Sequence, residues 1–172
     1  MKSRFLKTTG FSLIEVLVVI AIIAMLIGLA LPNYLGARER ARDSKRKTEL
    51  GQMKIALRMY YNDYMSYPTS DSGILKACGL TGKLACPVCT SAEFAAGGTD
   101  GCSVIYMKKL PQIGTGSPYT TFQYYQCTGG DDFRLVTTVE NKSDIDIASS
   151  KTRCPAGCGA TFGLADYVLC AD

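Results

Sequence analysis

A continuous apolar run from Phe11 to Leu31 constrains this chain more than any other feature. A helix of these 21 residues would be about 31 Å long, close to the ~30 Å hydrocarbon thickness of a bilayer. The run contains one ionisable side chain, Glu15, although a charge inside a bilayer costs at least about 2.5–3.5 kcal/mol. The sequence therefore predicts a transmembrane helix in which some partner neutralises Glu15.

A short basic segment precedes the apolar run and predicts its orientation. Residues 1–10 contain Lys2, Arg4 and Lys7 and no acid. Positively charged flanks stay in the cytoplasm, so the chain beyond the run is expected outside the cytoplasm. An ordinary secretory signal has a shorter apolar core and a small-residue cleavage site, and neither is present here. A plain single-span anchor is the simpler alternative, but it leaves Glu15 unexplained.

The residues around Gly10 form a processing motif. Gly10 is followed by Phe-Ser-Leu-Ile-Glu-Val at residues 11–16, and this pattern resembles the processing site of type IV pilins and the related pseudopilins. The resemblance implies that a dedicated prepilin peptidase cuts between Gly10 and Phe11 on the cytoplasmic side. It further implies that Phe11, the new N-terminus, is N-methylated. In this family Glu15, as the fifth residue of the mature chain, would act in filament assembly.

Cleavage at this bond would create a partner for Glu15. The free amine at Phe11 has a reference pKa near ~7.7–8.0 and would be largely protonated, a charge that methylation retains. Phe11 and Glu15 lie four residues apart on one helix face, so the carboxylate could pair with its own amine or with that of a neighbouring copy. Pairing between copies would hide both charges and fix the axial register of the subunits. A catalytic role is disfavoured because the run contains no second ionisable group.

Pro32 directly follows the run and is expected to kink the helix, because proline removes a backbone hydrogen bond. The alternative is that Pro32 ends the membrane helix. Helical periodicity resumes at Ala37 and stops at Tyr67-Pro68, since the residue before a proline is driven out of the helical conformation. One helix over residues 11–64 is predicted, with an apolar stripe on which the rest of the protein packs. The stripe consists of Leu50, Met53, Leu57, Tyr60 or Tyr61, and Tyr64.

The segment between Arg38 and Arg58 carries eight bases and three acids, a net charge of +5. Such a helix invites a DNA-binding hypothesis, but aromatic residues do not alternate with the bases and no recognised DNA-binding motif surrounds them. Contact with anionic lipid headgroups, or packing between subunits, is favoured because the segment would lie just outside a membrane. Pairing along the helix, for example between Lys45 and Glu49, would offset part of the charge.

Residues 65–172 are rich in Gly, Ser, Thr, Pro and Cys and have the length of one small domain. Strands are predicted at Val104–Met107, Tyr119–Cys127 and Asp132–Glu140, the last from its period-two alternation. Gly129–Asp131 predicts a hairpin between the last two strands. The predicted fold class is α+β, a long N-terminal helix packed on a small antiparallel sheet with disulfide-stapled loops. The pilin fold implied by the N-terminal resemblance has this form.

Eight cysteines, all in the exported part of the chain, predict disulfide bonds. An even number of cysteines in a small domain outside the cytoplasm is typical of a disulfide framework, and each bond commonly contributes ~2–4 kcal/mol. Eight cysteines allow about 105 pairings, so spacing alone assigns no connectivity. The cysteines are Cys78, Cys86, Cys89, Cys102, Cys127, Cys154, Cys158 and Cys170.

The cysteines and acids admit three other hypotheses. Zinc could be bound by Cys86, Cys89, Cys154 and Cys158, although the chain has no histidine and the second pair is loosely spaced. Cys86 and Cys89 could instead form a redox pair, but no thioredoxin-like pattern surrounds them. Carboxylates in turns could ligate calcium, but no calcium loop is recognisable and no metal site is assigned. These carboxylates are Asp131, Asp132, Asp144 and Asp146.

The sequence predicts a structural subunit of a type IV pilus-like filament rather than an enzyme, with no cofactor. It lacks a histidine for a triad and a phosphate-cradling glycine loop. The stretch Tyr106–Pro111, with the sequence YMKKLP, resembles the head of the major pseudopilin of type II secretion. Adhesion, motility, DNA uptake and type II protein secretion are the roles that the family implies, and the sequence does not choose among them.

The resemblance also implies a location and partners. The chain would be an inner-membrane prepilin with a leader at 1–10, a long helix at 11–64 that spans the membrane at 11–31, and an extracytoplasmic head at 65–172. Identical copies would then form a cell-surface or periplasmic filament. The implied partners are prepilin peptidase, an inner-membrane assembly platform with its ATPase, other minor pilins and membrane lipid, with DNA a weaker candidate. An alternative is a membrane-tethered binding protein for a ligand or DNA that never polymerises and in which Glu15 is dispensable.

Overall fold

A computed structural model describes residues 10–78, 84–85, 93–98, 102–111 and 122–171 of the chain. Its first helix, α1, runs from Leu13 to Tyr64, so it ends where the sequence predicted. The chain divides within α1 into two compact units, the first ending at Glu39 and the second beginning at Arg40.

In the first unit, α1 begins two residues later than predicted. Phe11 and Ser12 are not helical, and the Glu15 side chain caps the helix start. The backbone N–H of Ser12 donates to the Glu15 carboxylate (3.1 Å), and the N–H of Glu15 donates to the Ser12 carbonyl (3.1 Å). The helix continues through Pro32 without interruption, and a kink at Pro32 stays a prediction.

The second unit contains eight short strands in three antiparallel sheets among the described residues. The first sheet consists of β1 (Thr69–Asp71), β2 (Ile74–Cys78) and β3 (Leu84–Ala85). The second consists of β4 (Phe94–Ala96) and β5 (Val104–Met107). The third consists of β6 (Gln123–Gln126), β7 (Phe133–Thr138) and β8 (Asp166–Cys170), in that order. The sequence predicted one sheet; strands this short, separated by turns, form three.

The predicted strands correspond to β5, β6 and β7. Strand β5 has the predicted bounds, β6 and β7 are shorter than predicted, and residues 119–121 lie outside the described residues. The predicted hairpin joins β6 to β7, with Gly129 and Gly130 at positive φ. A Cβ at Gly130 would collide with Oγ of Ser66. This close approach lets the N–H of Tyr67 donate to the Gly130 carbonyl (2.7 Å), which fixes the chain leaving α1 onto the hairpin.

Helix α2 (Ile145–Arg153) and strand β8 were not predicted. Asp144 is the N-cap of α2, and its carboxylate accepts the N–H of Asp146 (2.9 Å). Lys151 and Arg153 in the last turn complement the negative end of the helix dipole. A helix of nine residues is too short for its apolar periodicity to be read with any weight, so only the capping residues signalled it.

The predicted stripe on α1 packs against the sheets of the second unit. Four stripe residues are buried as predicted: Leu50, Met53, Leu57 and Tyr60. Tyr64 stays partly exposed and stacks on Tyr60, with the ring centroids 4.4 Å apart. The stripe shares one core cluster with residues of the sheets, including Phe94, Tyr124, Phe133 and Leu135. The second half of α1 is thus the surface on which the head folds.

Strand β7 contributes to an apolar cluster on each of its faces, because side chains alternate along a strand. Leu135 belongs to the cluster with α1, and Val136 belongs to a second cluster with Val168, Cys154 and Cys170. The predicted α+β class is confirmed: a long N-terminal helix, small antiparallel sheets and a head joined by disulfides.

Two disulfides join the C-terminal segment to the third sheet. Cys127, next to β6, is bonded to Cys158, and Cys154, at the end of α2, is bonded to Cys170 in β8. Cys102 is also disulfide-bonded. The other three predicted cysteines have side chains outside the described part of the structure: Cys78, Cys86 and Cys89.

Replacing Cys154 and Cys170 by serine is expected to lower the free energy of unfolding by about 3 kcal/mol. The two residues are 16 apart in sequence, and closing a loop of this size removes about that much chain entropy from the unfolded state. Urea unfolding of the purified protein in detergent, with and without the two substitutions, measures the difference. An unchanged unfolding midpoint would contradict the prediction.

Candidate functional site

The predicted processing site lies immediately before α1. Gly10, Phe11 and Ser12 are exposed and non-helical, and the Phe11 side chain is 79% exposed. Proteases cleave exposed segments that are not held in regular secondary structure. The geometry is therefore compatible with cleavage after Gly10, while the cleavage itself and the methylation of Phe11 stay predictions.

The Glu15 carboxylate is held at the start of α1 by the Ser12 N–H. This hydrogen bond and the positive end of the helix dipole stabilise an acid in the first turn before any amine exists. The Phe11 nitrogen is one residue from the donor, so an amine created by cleavage would arise near the carboxylate. Pairing with this amine and pairing with a neighbour's amine both remain compatible with the structure.

The first half of α1 has the properties of a membrane span. Among the described residues, α1 is the one helix long and apolar enough to cross a membrane, judged by length and composition. Every large apolar side chain between Leu13 and Leu31 is at least 48% exposed. So many exposed apolar side chains require lipid or protein around them. The helix has the length and composition of a membrane anchor, and the span at 11–31 stays a prediction.

A cluster of charged residues joins α1 to the loop after β7. Asp43 is 1% exposed and accepts the backbone N–H groups of Glu140 (2.9 Å) and Asn141 (2.8 Å). The guanidinium of Arg46 donates to Asp43 (2.6 Å) and to Glu140 (2.6 Å). Arg42 pairs with the same Glu140 carboxylate. Buried charges are tolerated when they are paired and hydrogen-bonded, and this cluster meets both conditions.

The cluster gives the head an acid-sensitive contact. Hydrogen bonds from Arg42, and then from Arg46, lower the pKa of Glu140 from 4.5 to about 2. Because the pKa is lower in the folded state, the stabilisation from Glu140 is complete above pH 4.5 and is lost as the pH falls toward 2.

Thermal unfolding of the head is therefore expected to become easier between pH 4.5 and about 2. Glu140→Gln removes the titrating group, so its unfolding temperature should start lower and fall less steeply over the same range. The measurement is the unfolding temperature against pH for both proteins. Parallel curves would contradict the role of Glu140.

A second charged cluster holds the start of α2. Nζ of Lys47 lies 2.6 Å from a carboxylate oxygen of Asp144, 2.7 Å from one of Asp146, and 5.2 Å from the ring centroid of Tyr167. The hydrogen bond from Lys47 lowers the pKa of Asp144. These two acids were candidate calcium ligands, but both carboxylates pair with an ammonium group of the same chain.

The other two candidate calcium ligands lie at the hairpin between β6 and β7. Asp132 pairs with Arg134 and accepts the N–H groups of Phe133 (2.7 Å) and Ala171 (3.0 Å), so it ties the end of β8 to the hairpin. Asp131 is exposed in the turn. Within the part of the chain that the structure describes, no three potential metal ligands converge.

The zinc hypothesis is contradicted at two of its four residues. Cys154 and Cys158 are in disulfides with different partners, and a disulfide sulfur is not the thiolate that zinc requires. Cys86 and Cys89 lie outside the described residues. The hypothesis of a redox pair between these two cysteines therefore stays a prediction.

The structure changes the interpretation of the basic segment 38–58. The predicted pair between Lys45 and Glu49 is present at 3.7 Å. Three other bases of the segment bind acids of the head. The sequence of the segment does not indicate these contacts, because the acids lie more than 90 residues away. A signal existed: Asp43 and Arg46 precede Leu50 at helical spacing, so they continue the buried stripe. Three of the eight basic side chains that could bind DNA are therefore already paired with acids of the same chain, which weakens the DNA-binding hypothesis.

Comparison with known proteins identifies relatives of both parts of the chain. The family described as "Prokaryotic N-terminal methylation motif" matches residues 6–31. The type II secretion system core protein G of Aeromonas hydrophila is 33% identical over 143 residues, which cover 83% of this chain and 92% of the relative. The protein of the same name from Klebsiella pneumoniae is 32% identical over 148 residues, covering 83% and 94%.

A pilus protein is similar over a shorter length. The type IV wide pilus major component PilA4 of Thermus thermophilus is 45% identical over 71 residues, which cover 41% of this chain and 53% of that protein. No solved structure matches the chain significantly. The core protein G matches, in contrast, span most of both chains. The chain therefore belongs to the family of type IV pilins and type II secretion pseudopilins, filament subunits whose N-terminal methylation motif indicates processing by prepilin peptidase.

Proposed function

We propose that this chain is the major shaft subunit of a type II secretion pseudopilus. The observation that carries the proposal is the extent of similarity to core protein G, which covers 92% of the Aeromonas protein and so includes the head. The similarity to the pilus component covers 53% of that protein. The presence of Glu15 favours a shaft position, because the neutralised acid would serve packing against further copies. A structural rather than catalytic role follows from this assignment.

The proposed life cycle begins in the cytoplasmic membrane. Prepilin peptidase removes the leader, residues 1–10, by cutting the bond between Gly10 and Phe11, and Phe11 is N-methylated. The mature chain spans the membrane at 11–31 and holds its head, residues 65–172, outside the cytoplasm. An assembly platform with its ATPase then extracts the subunit into a periplasmic filament, together with minor subunits of the same family.

Deleting the gene and assaying the culture tests the secretory role. We expect proteins normally released into the medium to accumulate inside the cell, while surface fibres, twitching and DNA uptake persist. Restoring the gene should restore secretion. Loss of fibres with secretion intact would replace the proposal by the second candidate, a type IV pilus subunit. The similarity to the pilus major component is the observation that favours that candidate.

Glu15→Ala is expected to leave cleavage intact and to reduce filament yield about a hundredfold or more. Breaking a buried ion pair costs about 3–5 kcal/mol, and each 1.4 kcal/mol is about a factor of ten. The matched control is Glu39→Ala, which removes an exposed acid of the same helix outside the apolar run. Filament yield is measured by shearing and sedimentation. Normal assembly of Glu15→Ala would contradict the role of Glu15 in assembly. A wild-type protein that forms no filament would favour the alternative of a membrane-tethered binding protein that does not polymerise.

A further inference from the structure

The two disulfides beside the third sheet differ in their access to solvent. Cys154 is 4% exposed and Cys170 is 6% exposed, and both belong to the second apolar cluster. Cys127 and Cys158 are partly exposed. A thiol reduces a disulfide by direct attack on one of its sulfurs, so access to that sulfur limits the rate. The bond between Cys127 and Cys158 is called the outer disulfide, and the bond between Cys154 and Cys170 is called the inner disulfide.

Cys158 lies in a tight turn that disfavours a residue of its kind. Residues 157–160 form a β-turn in which the N–H of Ala160 donates to the carbonyl of Gly157 (2.9 Å). The two central residues, Cys158 and Gly159, have φ values of 59° and 78°. Two positive φ values in succession define a turn type in which Gly, Asn and Asp dominate both positions. Cys158 is therefore held in a strained conformation, which it can leave once it is no longer bonded.

The surroundings of this turn leave Cys158 open to an approaching thiol. A Cβ added at Gly157 or at Gly159 would meet nothing within 4 Å, so both neighbours of Cys158 face open space. The two glycines have no side chains that would obstruct a thiolate on its way to Sγ of Cys158. This end of the outer disulfide is therefore an accessible point of attack.

Cys127, at the other end of the bond, is held by the β6–β7 hairpin independently of the disulfide. Its N–H donates to the Asp132 carbonyl (2.9 Å), and its carbonyl accepts the N–H of Gly130 (3.0 Å). Breaking the outer disulfide would therefore leave the hairpin in place and release the turn at residues 157–160.

The turn at residues 157–160 covers part of the second apolar cluster. Ala160 is a buried member of this cluster, and Phe162 packs against it. The inner disulfide fixes the chain before the turn at Cys154, and β8 fixes it from Asp166 onward. Reduction of the outer disulfide would thus open a short loop between two fixed points and expose apolar surface, a local opening without global unfolding.

We propose that the outer disulfide is a site of thiol–disulfide exchange, and that its reduction opens the turn at residues 157–160. The partner is a dithiol oxidoreductase of the compartment that the head occupies. Its thiolate attacks Sγ of Cys158 and forms a mixed disulfide, while the bond to Cys127 breaks and its electron pair leaves on Sγ of Cys127, which takes up a proton. The second thiol of the oxidoreductase then attacks its own partner sulfur and releases Cys158 as a thiol. The head gains two electrons and two protons, and the oxidoreductase becomes a disulfide.

Timed reduction of the oxidised full chain in detergent tests the order in which the two bonds react. Dithiothreitol is added without denaturant, samples are alkylated at intervals, and each modified cysteine is located by peptide mass spectrometry. We expect the cysteines of the outer disulfide to be alkylated at least about a hundredfold faster than those of the inner one, which reacts only after the head opens. Equal rates, or an outer disulfide that reacts more slowly, would overturn the proposal.

A trapping experiment tests the point of attack. Thioredoxin whose second active-site cysteine is replaced by serine cannot resolve a mixed disulfide, so the adduct persists. We expect this probe to be bonded to Cys158. An adduct on Cys127 would contradict the point of attack. An adduct on the inner disulfide alone, or no adduct on either bond, would overturn the assignment of the site.

Hydrogen exchange tests whether reduction opens the turn. After selective reduction of the outer disulfide, the amides of residues 157–163 should exchange at least about tenfold faster, while those of β7 and β8 keep their protection. A variant with Cys127→Ser and Cys158→Ser should show the same pattern without reductant. The matched control, with Cys154→Ser and Cys170→Ser, should lose protection in β8. Unchanged exchange of residues 157–163 in the first variant would refute the opening.

Discussion

Asp43→Ala should destabilise the head by about 3–5 kcal/mol, the cost of breaking a buried ion pair by removing one partner. Asp43 is 1% exposed and accepts two backbone N–H groups from the loop at residues 140–141, besides the Arg46 guanidinium. Alanine would leave both N–H groups without their acceptor. The Arg46 guanidinium would lose the Asp43 carboxylate and keep only that of Glu140. Because a domain of this size is stabilised by only about 5–15 kcal/mol, the variant should approach the limit of folding.

The control for Asp43→Ala is Glu49→Ala, which removes the pair with Lys45 on the same helix, a pair whose Lys45 side chain is 78% exposed. An exposed pair contributes about 0–1 kcal/mol, so this variant should unfold nearly as the wild type does. Urea unfolding of the full chain in detergent compares all three proteins. If the two variants lost equal stability, the cluster around Asp43 would not be the contact that holds the loop.

Gly10→Val is expected to abolish processing, so that the full-length chain accumulates in the membrane. The structure separates this effect from folding, because a side chain at Gly10 would meet nothing within 4 Å of its Cβ. A loss of cleavage would therefore come from the peptidase, which must accommodate the residue before the cut bond. Intact-mass measurement and N-terminal sequencing of the membrane fraction distinguish a chain starting at Met1 from one starting at Phe11.

Gly36→Val is the matched control for Gly10→Val, since Gly36 is also surrounded by open space but lies away from the bond. Its N-terminus should be Phe11, as in the wild type. A chain with Gly10→Val that still starts at Phe11 would contradict the assignment of the cleavage site. A wild-type chain that starts elsewhere would contradict it independently.

Features encoded locally could be predicted from the sequence. The buried stripe on α1 was readable because Leu50, Met53 and Leu57 recur at helical spacing, and the helix stop was readable from Tyr67-Pro68. The β6–β7 hairpin was readable because two glycines separate two β-rich runs. In each case the signal lies within a few residues of the feature that it specifies.

Contacts between distant segments could not be predicted. Arg46 and Glu140 are 94 residues apart, and neither flanking sequence indicates the other. The same holds for the disulfide between Cys127 and Cys158, because counting cysteines cannot choose among their pairings. The candidate site divides in the same way: its N-terminal motif is continuous in sequence, whereas the charged cluster around Asp43 joins segments 97 residues apart.

The ion pairs between α1 and the head reduce a positive charge that a filament would repeat in every subunit. The segment from Arg38 to Arg58 carries a net charge of +5, and a polymer repeats every surface charge once per subunit. Three acids of the head, Glu140, Asp144 and Asp146, reduce the local charge to about +2 inside each subunit. Repulsion between like charges grows with the product of the charges, so +2 instead of +5 weakens it about sixfold between neighbouring copies. Much of the electrostatic cost of stacking subunits is thus removed while each one folds, before any two of them meet.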